Sequence, residues 1–156
     1  MLAAAENLIS LFKQVSACPE IMEEAIQVGP DLVEPQALHA RAMAVIERRD
    51  SRALGAWSGR YLQNLSAGLA SADVREVAAG ASHGRVDGLF VAVGVQCWGV
   101  FDSATGSATL HERREAGDED LLNLSAVLTA VNGGTVFAVP PADVPGGSSL
   151  AAVFRY

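Results

Sequence analysis

Residues 118–142 read DEDLLNLSAVLTAVNGGTVFAVPPA, and they form either one membrane-spanning helix or a helix followed by a strand. From Leu121 to Ala142 it carries no charged residue, and it is long enough to cross a bilayer. Asn123, Asn132, Gly133-Gly134 and Pro140-Pro141 exclude that reading. In lipid they would leave backbone groups unsatisfied, whereas in water they punctuate a helix, a turn and a strand. Leu121, Leu124, Val127, Leu128 and Val131 recur at helical spacing, Asn132-Gly133 supplies the stop, and TVFAVP continues as a short β run. A helix feeding directly into an apolar strand is the building unit of an α/β protein.

Upstream, VDGLFVAVGV (residues 86–95) is almost continuously apolar, as in a strand covered on both faces. CWGVFDSATGSATLHE (residues 97–112) predicts two strands joined by a turn at Ser103–Gly106. Asp73–Ser82 predicts a short helix, and the terminal LAAVFRY a last strand. A long helix opens at Pro35, whose missing N–H is harmless in a first turn. Along it Ala42, Ile46, Ala53, Trp57 and Tyr61 share one side, with Leu54 and Leu65 beside them, while Arg41, Arg48 and Arg52 lie opposite. Gly55 and Gly59 predict a kink or a close approach within it. An N-terminal helix is expected over Ala3–Val15, with Leu8, Leu11, Phe12 and Val15 on one face, stopped by Pro19. EIMEEAIQV fits helix or strand, and GPDLVEP is a break. Helices alternating with buried strands predict a sheet covered on both faces.

The chain has 156 residues, of which 50% are hydrophobic and 19% charged, so it can build a real core and is not a disordered segment. Cys18 and Cys97 stand far apart without metal-ligand spacing, which fits a reducing, cytoplasmic setting. The N-terminus has no basic leader region, so it reads as a helix and not as a secretion signal. The net charge of −7 argues against tight autonomous binding of nucleic acid. The one basic concentration is residues 35–60, where Arg41, Arg48 and Arg52 form a candidate contact face for an acidic partner or RNA.

The chemistry-bearing candidate is Asp118-Glu119-Asp120. It fits a metal site, the acid/base pair of a hydrolase, or the acidic opening of the helix that follows. An Asp at a helix start accepts the first free backbone N–H groups, and first-turn acids face the positive end of the helix dipole. Metal-assisted hydrolysis would need further ligands, and only His111 stands near in sequence. The helix-start reading is therefore the expectation, with no catalytic residue, metal or cofactor assigned. His39, His83 and His111 are isolated from one another and from any nucleophile signature. Trp57 and Trp98 read as packing residues, since no basic strand accompanies them.

Three segments, GRVDGLFVA, HERREAGDEDLLNLSAVLTAVNGGTVFAVPPADVPGG and LAAVFRY, together resemble the C-terminal domain of the bacterial relatives of archaeal and eukaryotic class 1 peptide-chain release factors. The resemblance covers Asp73–Tyr156. It extends less closely upstream, through LAAAENLISLFKQV and VGPDLVEPQALHARAMAVIE, to the end of the family's middle domain. It implies a three-layer α-β-α sandwich similar to ribosomal proteins that bind kink-turn RNA. The implied organisation is a middle-domain remnant over 1–34 (from a truncated or shortened member), a connecting helix over 35–70 and the C-terminal domain over 71–156. The family's hydrolytic Gly-Gly-Gln is absent, since Gly134 precedes Thr135 and Gly147 precedes Ser148. The resemblance thus implies a non-enzymatic interaction domain, with the ribosome or a translational GTPase as partner. A lone N-terminal helix with Leu8, Leu11 and Phe12 exposed also predicts a homodimer through that helix.

Overall fold

A computed structural model describes residues 1–18, 21–29 and 34–156. The expected stop at Pro19 and the break at Pro30 lie outside the described residues. Backbone contacts divide the chain into two compact units, Met1–Ala53 and Leu54–Tyr156.

The first unit opens with β1 (Ala3–Ala4), then α1 (Glu6–Val15), then β2 (Ile26–Gln27). β1 and β2 pair in parallel, Ala3 opposite Ile26 and Ala4 opposite Gln27, so α1 is the crossover of a small βαβ unit. The helix therefore starts three residues later than its apolar pattern suggested, and a strand does precede it. EIMEEAIQV resolves as strand at its end. Ile9 and Ile26 are buried, whereas Leu8, Leu11, Phe12 and Val15 are exposed.

α2 (Pro35–Leu65) runs from the first unit into the second. Among the described residues no atom lies near the open side of Gly55 or Gly59, and the helix continues through both. The helix-forming residues around them outweigh the ~1 kcal/mol that each glycine costs.

The second unit contains β3 (Ala70–Ser71), α3 (Val74–Ser82), β4 (Val86–Ala92), β5 (Trp98–Asp102), β6 (Ser107–Leu110), β7 (Glu119–Asp120), α4 (Leu121–Val131), β8 (Thr135–Val139) and β9 (Leu150–Phe154). Its main sheet has the order β3-β9-β4-β8, with β4 and β8 parallel and β9 antiparallel to both β3 and β4. A smaller antiparallel sheet has the order β6-β5-β7.

Strand alternation builds two cores, one on each side of the main sheet. Val86, Leu89, Leu150, Ala152 and Phe154 pack with Val74, Val77 and Ala81 of α3 and with Leu121 and Leu122 of α4. Phe90, Ala92, Ala151, Val153 and Val139 face the other way, toward Leu54, Trp57 and Tyr61 of α2. This is the expected α-β-α sandwich. Both faces of β4 and β9 are covered, which is why their sequences show no polar alternation.

The register of β4 against β9 shifts between Val86 and Gly88, leaving Asp87 as an extra residue in the ladder. The bulge puts Gly88 on the α2 side, where the Trp57 ring lies on its backbone. A Cβ there would sit 2.2 Å from Trp57 Cζ3.

Candidate functional site

The acidic triplet divides its duties among three different structures. Asp120 is the N-cap of α4: its Oδ1 accepts from the Leu122 amide and the Cys97 amide, both at 3.1 Å. Burial, and then the Asp120 charge, push the Cys97 thiol up from its ordinary pKa. Glu119 and Asp120 form β7, pairing with Gly99 and Trp98 of β5. Asp118 turns back into its own loop. Its Oδ2 accepts from the Glu115 amide at 2.8 Å, and its Oδ1 lies 2.8 Å from Nδ1 of His111.

Asp118 and Glu119 are thus not first-turn acids of α4, and the helix starts at Leu121. The pairing of β7 with β5 holds these residues extended, which delays the helix. The Asp118 carboxyl is held below its ordinary pKa, first by the Glu115 amide and then by His111. Among the described residues, no three His, Cys, Asp or Glu side chains converge as a metal site. Asp120 is thus a helix cap and Asp118 a loop anchor, while Glu119 is exposed.

Arg41, Arg48 and Arg52 are exposed on α2 within the first unit. Arg48 and Arg52 both reach Glu24, at 3.3 and 2.7 Å. These two hydrogen bonds, Arg48 first, lower the Glu24 pKa. Part of the stripe's charge is thereby compensated locally, which sequence spacing could not reveal because Glu24 lies outside the helix. This cluster borders a cleft of about 620 Å³ lined by apolar Ile21, Met22 and Val45 and by charged Glu23, Glu24, Arg49 and Arg52.

His39 is exposed. His83 stands at the C-cap of α3, with Nδ1 2.7 Å from the Ala79 carbonyl oxygen. Trp57 is half-buried against the core on the α2 side of the sheet, and Trp98 is half-buried beneath the Arg114 guanidinium, 4.6 Å from its ring centroid. A charged knot that sequence reading missed forms at the bulge. Asp87 pairs with Arg60 at 2.6 Å and lies 3.6 Å from Nε of Arg155, and the Arg155 Nη atoms donate to the Gly84 and Asn132 carbonyls. It ties the chain end to the sheet. Gly84 and Arg155 are 71 residues apart, and Arg155 and Asn132 are 23 apart, too far for local patterns to link.

The fold matches solved structures. The C-terminal domain of a peptide-chain release factor from Methanosarcina mazei superposes with a TM-score of 0.55 at 16% identity, over 80% of this chain and 97% of that one. A ribosome-bound archaeal Pelota gives a TM-score of 0.57 at 16% identity, over 97% of this chain and 40% of that one. The chain thus spans less than half the length of that Pelota. At such identities the likeness is one of fold. No curated protein matches the chain. The model of the bacterial archaeo-eukaryotic release factor family 3 matches residues 1–85, the first unit together with α2, α3 and the start of the second. The chain belongs to the bacterial archaeo-eukaryotic release factor family 3.

Proposed function

We propose that this chain is a non-enzymatic interaction domain that associates with the ribosome, in translation termination or ribosome rescue. The observation that carries this reading is membership of a release-factor family. The fold likeness to a release-factor C-terminal domain and to a ribosome-bound Pelota supports it. Two acids of the triplet are engaged within the fold, Asp120 in capping α4 and Asp118 in anchoring its loop. Both Gly-Gly pairs precede residues other than glutamine, and Gly133, Gly146 and Gly147 hold positive-φ turns. The domain reading that goes with this function assigns 1–34 to a middle domain, 35–70 to the connecting helix and 71–156 to the C-terminal domain.

Sucrose-gradient profiles of cells expressing the tagged chain test the proposal. It should move into ribosomal fractions when translation is stalled, and remaining at the top of the gradient under every stalling condition rejects it. Arg41, Arg48 and Arg52 are the residues assigned to contact RNA or an acidic partner. Their association would weaken with salt, because it rests on charge.

A further inference from the structure

We propose that Arg48 and Arg52 form a phosphate site for RNA, and that Glu24 occupies this site until RNA displaces it. The contact is autoinhibitory, a brake on the arginine face built into the first unit. The proposal rests on the reading above that these arginines are contacts.

Val45 is buried, and Arg48 and Arg52 follow it at helical spacing, so all three stand on one side of α2. That side meets the segment before β2, since Val45 lines one cleft together with Ile21, Met22 and Glu24. There the two guanidiniums, one turn apart, converge on a single carboxylate. Nη2 of Arg48 donates to Oε2 of Glu24 at 3.3 Å, and Nη1 of Arg52 donates to Oε1 at 2.7 Å. Two charged donors, each on a different oxygen of one anion, equally satisfy a backbone phosphate with its two free oxygens. The Glu24 carboxylate stands in for that phosphate. Arg41, exposed and one turn before Val45 on the same side, extends the cations into a row. A row of cations suits the repeated phosphates of RNA better than one carboxylate of a protein partner.

The occupant is exchangeable. The side chains of Arg48 and Arg52 are 56% and 72% exposed, so a phosphate reaches the guanidiniums from solvent. Exposed ion pairs are weak, and an RNA phosphate gains counterion release that an internal carboxylate does not. The backbone carrying Glu24 is fixed by other bonds. Lys13 Nζ donates to the Glu23 carbonyl, and the Ile26 amide donates to the Leu2 carbonyl at 2.8 Å. Displacing Glu24 therefore turns side chains and leaves β1 paired with β2. The net charge of −7 already keeps RNA binding weak, and the internal carboxylate weakens it further at this one site.

Fluorescence anisotropy of a labelled oligouridine, titrated with the 156-residue chain at low salt, tests this. Glu24→Gln should tighten binding about two- to tenfold, the range that two exposed ion pairs can offset. Glu47→Gln makes the same change in net charge at an exposed position on another side of α2 and should gain less. With Arg48 and Arg52 both changed to Gln, Glu24→Gln should gain no more than Glu47→Gln does. Circular dichroism should report an intact fold throughout. A Glu24→Gln gain no larger than that of Glu47→Gln overturns the proposal, as does a gain that survives loss of both arginines. No RNA binding even by Glu24→Gln also overturns it. A Glu24→Gln gain in ribosome pelleting without one on RNA overturns the phosphate assignment in favour of an acidic protein. None of these outcomes touches ribosome association itself, which wild-type pelleting decides.

Discussion

At Gly88 the absence of a side chain is what lets a tryptophan lie on a strand. The Trp57 ring occupies the place of a Cβ, and Arg60 stacks on that ring with its guanidinium 4.6 Å from the centroid. Gly88→Ala should destabilise the chain by roughly 1–3 kcal/mol, the usual range for an overpacked core. A lowered urea midpoint with an unchanged m-value would report it. Asp120 makes a second prediction. Asp120→Ala removes the acceptor of two backbone amides and should cost about 1–2 kcal/mol, in the range of lost N-caps. Glu119→Ala, at an exposed position, should be nearly neutral, and thermal melts of the two variants separate the roles. That one of three acids would cap a helix was legible in the sequence. Which one it is depends on β7 pairing with β5, a contact some twenty residues away along the chain that no local spacing encodes.

Among the elements, the loop from His111 to Asp118 shows how one carboxylate can organise a segment. Asp118 accepts from the Glu115 amide and meets His111, closing the loop between β6 and β7. Its folded pKa lies below the ordinary value of 3.8, so its contribution is fully present above that value. The contribution is lost as the pH falls through the lowered pKa. Amide exchange at Glu115, corrected for its intrinsic pH dependence, should accelerate in that acidic window. Asp118→Asn should abolish the pH dependence there, and an unchanged profile would refute the anchoring role. The long helix, the β4 and β9 strands and the β5–β6 turn were all readable, because each carries a full period of its pattern. β1, β2, β3 and β7 were not, since two residues are too few to show alternation. Leu8, Leu11 and Phe12 are exposed on α1, as expected of a lone N-terminal helix, although the helix begins at Glu6 and follows β1.

Over the whole molecule, a family membership and a three-layer domain combine with a charge distribution that limits how RNA could be met. Glu24 compensates part of the arginine face, so the charge offered to a polyanion is smaller than the helix sequence suggests. Glu24→Gln should therefore strengthen ribosome binding if Arg48 and Arg52 are contacts. Reversing Arg41, Arg48 and Arg52 to Glu should abolish that binding, with far-UV circular dichroism unchanged. The sandwich could be read from the sequence because buried strands and helices alternate in it. The knot of Arg60, Asp87 and Arg155 could not, since its members meet only after the sheet is assembled. The most direct test of ribosome association is pelleting of the purified chain with purified bacterial ribosomes, vacant and stalled, across a salt series. The expected result is saturable co-pelleting with stalled ribosomes that weakens as salt rises. A chain left in the supernatant with both kinds of ribosome at every salt concentration would contradict it.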